Sequence, residues 1–316
     1  MSSLRTHVLT LLAALLALAV GVALGSGPLQ GPLRAEVGSG PVASDDAEEP
    51  SSAGSRAAAL ASGTTYADDF ALSVSGRLVR GALADRTVTL LVLPGAAAGT
   101  VAGIADMVAR AGGRVTGEVR VERRLVDVGN RQLVGELGRQ MAETAGDAVR
   151  VPAAAGDYER LGRLLARATL TSERAGTPVD APARGILAGL ETAGLVTTTG
   201  DAGTRGSLLL AVAGEPYGGD DERDGAGTIV ATLLLEATRT ARAVLLAGPV
   251  GAAAPDGLVG RVRTDEAART AVSTVDAADR VAGRITSVLA LSADVPGRSG
   301  HYGSAGAPDG PRPALR

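Results

Sequence analysis

The chain carries few residues suited to catalysis or metal binding. It has no Cys, only two His (His7 and His301) and only three Met (Met1, Met107 and Met141) in 316 residues. A thiolate nucleophile is therefore absent, and soft or imidazole ligands for a metal ion are confined to five scattered positions that form no cluster in sequence. His7 flanks an apolar stretch and His301 lies near the C-terminus, so no Ser-His-Asp arrangement can be assembled within a central folded core. His301, followed by Tyr302 and set between Gly300 and Gly303, is the candidate metal or recognition residue of the tail. Met107 and Met141 fall in helical segments, where thioethers usually fill a core. Asp220, Glu222, Asp224 and Gly225 imitate the opening of a calcium loop, but the twelfth position is Ala231 instead of the bidentate Glu that completes one. They read as a solvated acidic loop. Gly95 to Thr100 (GAAAGT) stands after an apolar run and before a helical pattern, where doubly wound folds bind phosphate. It lacks both the G-x-G-x-x-G spacing and a P-loop Lys, and Glu118 and Glu122 stand only roughly where a ribose-binding acid would. Together these residues predict a protein without catalytic residues or a cofactor.

The elements that would position these groups alternate. Thr87 to Leu93 (TVTLLVL) is a continuous apolar run bounded by Arg86 and Pro94, as expected of a strand covered on both faces. Val101, Ile104, Ala105 and Val108 follow at helical spacing, with Thr100 as N-cap and Gly112 as terminator. Arg114 to Val121 then alternates Val with polar residues, completing a strand-helix-strand unit. Helical periodicity returns at Leu133, Leu137 and Met141, and again from Tyr158 to Ala168. A further helix starts at Asp180 and Pro182 and is closed by Gly194. Leu208 to Val212 and Ala243 to Ala247 read as buried strands, and Thr228 to Arg239 and Asp279 to Leu291 as helices. The pattern predicts an α/β body, a Rossmann-like parallel sheet with flanking helices, over residues 66–296.

Ahead of this body, Val8 to Leu24 is the chain's one long apolar stretch, with Val8, Leu11, Leu12, Leu15, Leu16, Leu18, Val20, Val22 and Leu24 as its membrane-facing residues. Seventeen residues make about 26 Å of helix, slightly short of a hydrocarbon core. Ala23, Leu24 and Gly25 before Ser26 offer a passable cleavage site, so residues 1–27 read as a signal or anchor helix, the anchor being favoured. Arg5 precedes the stretch and Asp45, Asp46, Glu48 and Glu49 follow it, which places the body outside the cytoplasm. Residues 28–65 read as a flexible linker, because Gly38, Gly40, Pro41, Pro50 and Gly54 argue against a helical stalk. Residues 297–316 read as a disordered tail. All 31 basic residues are Arg, 34 are acidic, and the net charge is −3, so nothing suggests a nucleic-acid partner.

Several separated segments resemble the actinobacterial copper transporter family. They are Leu4-Arg5-Thr6-His7 leading into the apolar helix that ends Ala23-Leu24-Gly25-Ser26-Gly27; Val79 to Gly95, with a short helix entering the first strand; and Ala111-Gly112-Gly113. The most distinctive block is Ser273-Thr274-Val275-Asp276, Ala278-Asp279, Gly283-Arg284-Ile285 and Val288-Leu289-Ala290-Leu291; Gly300-His301-Tyr302-Gly303 closes the series. The resemblance implies a cell-envelope protein of copper export or homeostasis, with copper ions as cargo and, for the family, an outer-membrane channel. A one-chain spanning barrel is not expected here, since one Phe and four Tyr cannot furnish two aromatic girdles. A pore would have to be a homo-oligomer. The alternative is a membrane-anchored scaffold or adaptor that binds envelope proteins through its extracytoplasmic α/β domain.

Overall fold

The structure, a computed structural model, describes residues 52–200, 203–293 and 299–314. The apolar stretch Val8–Leu24, its membrane-facing residues and His7 lie outside the described residues. Among the described residues no helix is long and apolar enough to cross a membrane.

The described elements run in the order α1 (Ser52–Leu78), β1 (Thr87–Val92), α2 (Ala98–Arg110), β2 (Arg114–Val121), α3 (Arg131–Ala145), α4 (Asp157–Thr169), β3 (Thr177–Pro178), α5 (Ala181–Thr192), β4 (Val196–Thr199), β5 (Thr204–Arg205), β6 (Leu208–Val212), α6 (Asp220–Ala237), β7 (Ala243–Ala247), α7 (Leu258–Thr264), β8 (Ser273–Val275), α8 (Val281–Ser292) and β9 (His301–Tyr302). Single helical turns stand at Arg123–Val126 and Ala268–Ala271. Seven strands form one sheet in the order β4-β2-β1-β6-β7-β8-β9. Every neighbouring pair is parallel except β4 on β2, which is antiparallel. Helices cover both faces, so the expected α/β sheet with flanking helices is present.

Strand alternation produces the two layers. Val88, Leu90 and Val92 of β1 and Leu208, Leu210 and Val212 of β6 pack with α2 and α8. Leu91 and Leu93, with Leu209 and Ala211, pack on the other face with α3, α4, α5 and α6. A run such as LLLAV is apolar throughout because both of its faces are buried. Aliphatic side chains fill both layers, as the shortage of aromatics requires.

Four expectations change. The linker expected to 65 is helical from Ser52, because Pro41 and Pro50 lie before α1 and not within it, and Ala57 to Ala59, Ala61, Ala67 and Ala71 offset Gly54 and Gly63. The tail expected after 297 is structured: Thr274 N–H donates to Gly300 O at 2.9 Å and Asp276 N–H to Tyr302 O at 3.2 Å, which adds β9 to the sheet. Thr100 is not a cap; α2 starts at Ala98 behind Ala97, with no side-chain cap, and Thr100 is buried inside it. The stretch from Val79 into β1 forms turns, with Asp85 at φ 58°, and no helix of its own.

Candidate functional site

In the sheet order, connections leave β1 toward β2 on one side, and β6 begins the run on the other. The switch point of the doubly wound fold thus lies between the carboxyl ends of β1 and β6, where such sheets receive ligands. Here that crevice is shut. Gly95 adopts φ +83°, and its loop lies against Gly214 so closely that a Cβ on Gly214 would stand 2.1 Å from the Gly95 carbonyl carbon. The Tyr217 ring and the Glu215 carbonyl sit 3.5 and 3.6 Å from where a Gly95 Cβ would lie. Two loop backbones in contact leave no volume for a pyrophosphate, so the GAAAGT loop is a plain turn into α2.

Beside the closed crevice a cleft of about 520 Å³ opens between the Arg123–Val128 segment after β2 and the loop and first turn of α6 after β6. Arg123 lies over the Tyr217 ring, 4.6 Å from its centroid, and Val126, Val128 and Ala226 form the apolar wall. Burial raises the Tyr217 hydroxyl pKa above its usual value, and the nearby Arg123 opposes that. Asp220, Asp221 and Glu222 occupy the first turn of α6. The acidic segment expected as a loop is therefore the start of a helix, where carboxylates suit the positive end of the dipole and exclude the phosphates that helix N-termini otherwise attract. Glu122 accepts a hydrogen bond from Thr197 Oγ1 at 2.9 Å, and Glu118 lies 3.7 Å from Arg120. Both carboxylates are engaged within the sheet.

His301 is built into the last strand. One ring nitrogen, Nε2, lies 2.9 Å from Arg269 O, a pure acceptor, so Nε2 carries the proton and donates. Nδ1 is then the acceptor, 2.9 Å from Thr274 Oγ1. Burial lowers the His301 pKa, the Arg269 carbonyl opposes this, and the Arg263 charge adds to it. Both nitrogens are committed to the protein, and a metal would have to displace one of these bonds. Behind His301, Arg263 donates from Nε to Thr274 Oγ1, from Nη1 to Ala305 O, and from Nη2 to Tyr302 O and to Asp276 Oδ2. The Asp276 carboxylate is fully buried and also accepts from Ser304 N, Ser304 Oγ and Ala305 N. This network fastens the C-terminal segment to β8.

The other soft ligands lie far apart. Met107 is buried in the layer with α2, and Met141 in the layer on the opposite face of the sheet. Among the described residues no group of three or more His, Cys, Asp or Glu could hold a metal ion. The Arg123 and Tyr217 pair and the Arg263 and Asp276 network were not visible in sequence, because each joins residues from distant elements. Only Asp276 had a signal, its place in the quoted block after β8.

These features define an α/β protein of doubly wound topology whose usual nucleotide crevice is closed. The family model described as copper transport outer membrane protein, MctB, matches residues 1–313, and the chain belongs to that family. It is 28% identical over 251 residues to proteins named copper transporter MctB in Mycobacterium tuberculosis and Mycobacterium bovis, covering 78% of this chain and 79% of theirs. It is also 28% identical over 235 residues to the protein of that name in Mycobacterium leprae, covering 72% and 73%.

Proposed function

We propose that this chain acts in copper transport at the cell envelope, carried there by an N-terminal membrane helix, with its α/β body outside the cytoplasm and no catalytic activity or cofactor of its own. Family membership across residues 1–313 carries the reading. The closed switch point supports the non-enzymatic part, since the place where this topology normally holds a nucleotide cofactor has no room for one. Copper ions are the cargo, the membrane and envelope proteins are the partners, and any pore comes from several copies. The described strands form an open, largely parallel sheet covered on both faces, whereas a spanning barrel is closed, antiparallel and apolar outside. Deleting the gene is expected to raise cellular copper, measured by elemental analysis, and to increase copper sensitivity. Unchanged copper content in the deletion strain would overturn the reading.

The second reading is an anchored adaptor that binds envelope proteins without touching copper. It is favoured by the engaged nitrogens of His301 and by the lack of a metal-binding group among the described residues. Calorimetry without copper heat, together with a stoichiometric partner recovered by pull-down, would select it.

A further inference from the structure

The chain has one Phe and four Tyr, and it places that Phe and one Tyr four residues apart on an exposed helix face. Tyr66 is 73% and Phe70 59% exposed on α1. The opposite face of α1 holds the body: Arg280 donates to Thr64 O at 2.9 Å and pairs with Asp68 at 3.1 Å, and Asp68 Oδ1 accepts from Val281 N. Ser75 on that face and Val79 just beyond the helix are fully buried. Every residue from Gly54 to Gly63 is exposed, with Leu60 at 73%. A stretch of helix as short as Gly54 to Gly63 with no face on the body is marginal in water, and Leu60, Tyr66 and Phe70 together give this helix an exposed apolar surface that a partner can cover.

We propose that this outward face of α1 is the seam on which a second copy of the chain docks, in parallel, with Ala59, Gly63, Tyr66 and Phe70 of each copy packed on the same residues of the other. Their spacing of four, three and four is that of a coiled-coil seam, and it places Thr64, Asp68, Ala71 and Ser75, the residues that meet the body, on the far side of the helix. A Cβ at Gly63 would meet nothing within 4 Å, so the position opposite Tyr66 has room for an incoming ring. The same spacing continues to Ser73 and then reaches Arg77, and on the other side reaches Arg56; the two Arg would face their own copies and so limit the seam to the uncharged stretch between them. Leu60, Ala67 and Val74 on one flank and Ser62, Asp69 and Gly76 on the other bring no like charges together in parallel register.

The area favours a tethered second copy over a free partner. Two aromatics at these exposures hide roughly 250 Å² per copy, and with their aliphatic neighbours the seam reaches about 500 Å² a side, the low end of specific interfaces. Such a pair is weak in free solution. It becomes populated when both copies are held on one membrane, and 27 residues separate Leu24 from Ser52, enough to let two anchored helices meet. The inference rests on the envelope reading above for that tether.

The natural chain has no Cys, so single cysteines report directly. In the full chain in its native membranes, Ala59→Cys and Tyr66→Cys are each expected to form disulfide-linked dimers on mild oxidation, at ten-fold or greater yield over Ala61→Cys, an exposed position on the far side of the helix. Equal yields at the three positions, no dimer at the seam positions, or cross-links to a different protein would overturn the proposal. As a second measurement, adding Tyr66→Glu and Phe70→Glu to Ala59→Cys should abolish the disulfide-linked dimer in the same membranes, with the circular dichroism of the purified chain unchanged. A dimer yield that does not change would also overturn it. Copper content in the same strains separates the two readings. Missing dimers with a normal copper phenotype remove the seam alone, and intact dimers with no copper phenotype on deletion remove the transport reading alone.

Discussion

Asp276 and Asp180 show how differently two carboxylates can contribute. Asp276 has no exposed surface and accepts from Arg263 at 3.1 Å, from Ser304 N at 2.6 Å and from Ser304 Oγ at 2.9 Å. A buried ion pair adds little net stability when intact, but removing one partner strands the other charge in a low dielectric. Asp276→Ala is therefore expected to cost about 3–5 kcal/mol, read from urea unfolding, and to expose residues 299–314 to proteolysis before the rest of the body. A cost below about 1 kcal/mol, the range of an exposed pair, would show that Arg263 is satisfied without it. Asp180 is 41% exposed, caps α5 by accepting from Ala183 N at 3.0 Å, and takes a hydrogen bond from Arg167 Nη2 at 2.6 Å. That bond from Arg167 leads the effects that hold its pKa at about 2, with the Ala183 N–H and the Arg205 charge acting the same way. Because the folded value lies below the unfolded one of about 3.9, the stabilisation is complete above about pH 4 and is lost as pH falls toward 2. Asp180→Asn keeps the cap and removes the charge. At pH 7 it should cost about 1 kcal/mol, discounted for exposure, and the gap to the natural chain should close near pH 2. A gap that does not vary with pH would remove the charge from the account.

The loops that shut the switch point depend on glycine for space. Gly214→Ala would push a methyl group into the Gly95 carbonyl, and backbone on both sides leaves no flexible end to yield. It is expected to destabilise the body by about 2–3 kcal/mol through overpacking. Gly99→Ala, in the first turn of α2 with nothing within 4 Å, should instead stabilise by up to about 1 kcal/mol. Thermal unfolding of the two variants checks the pair, and similar shifts in both would show that the crevice is less tightly closed than the geometry requires. The same elements show what the sequence could reveal. Thr87–Val92, Leu208–Val212 and Ala243–Ala247 were legible because a strand buried on both faces is largely apolar along its whole length, and α2 through α5 because each has a helical stripe, with Gly112 closing the first of them and Gly194 the last. β4 reads Val-Thr-Thr-Thr and is an antiparallel edge, while β8 and β9 have three and two residues, too few for any period. α1 was hidden because the Gly and Pro residues of the preceding stretch were averaged with an Ala-rich helix that carries its apolar residues on two faces. The candidate site was less legible than the fold. The absence of Cys and the scarcity of His could be read directly, whereas the contact between Gly95 and Gly214 and the full engagement of His301 exist only once distant segments meet.

At the scale of the whole molecule, no described helix is long and apolar enough to cross a bilayer, and the family to which the chain belongs is described by an outer-membrane role. The two fit together if membrane contact is made by the apolar N-terminal stretch and the body works as a folded, cysteine-free unit beside it. Such a body suits an oxidising compartment, since it has no thiol to mispair and draws its stability from two aliphatic layers about one sheet. The orientation proposed above, with the body outside the cytoplasm, rests on the charge pattern of Arg5 before the stretch and four carboxylates after it. The C-terminus makes this testable without disturbing the fold, because Asp276 and Arg263 fasten the chain through Ala305 while Arg312 near the end remains exposed. A phosphatase that is active only outside the cytoplasm, fused after Arg316 in the full chain, is expected to be active. A fluorescent protein that matures only in the cytosol, fused at the same point, is expected to stay dark. The opposite result would place the body on the cytoplasmic side, and transport would then have to be explained by a body that meets copper before export instead of during it.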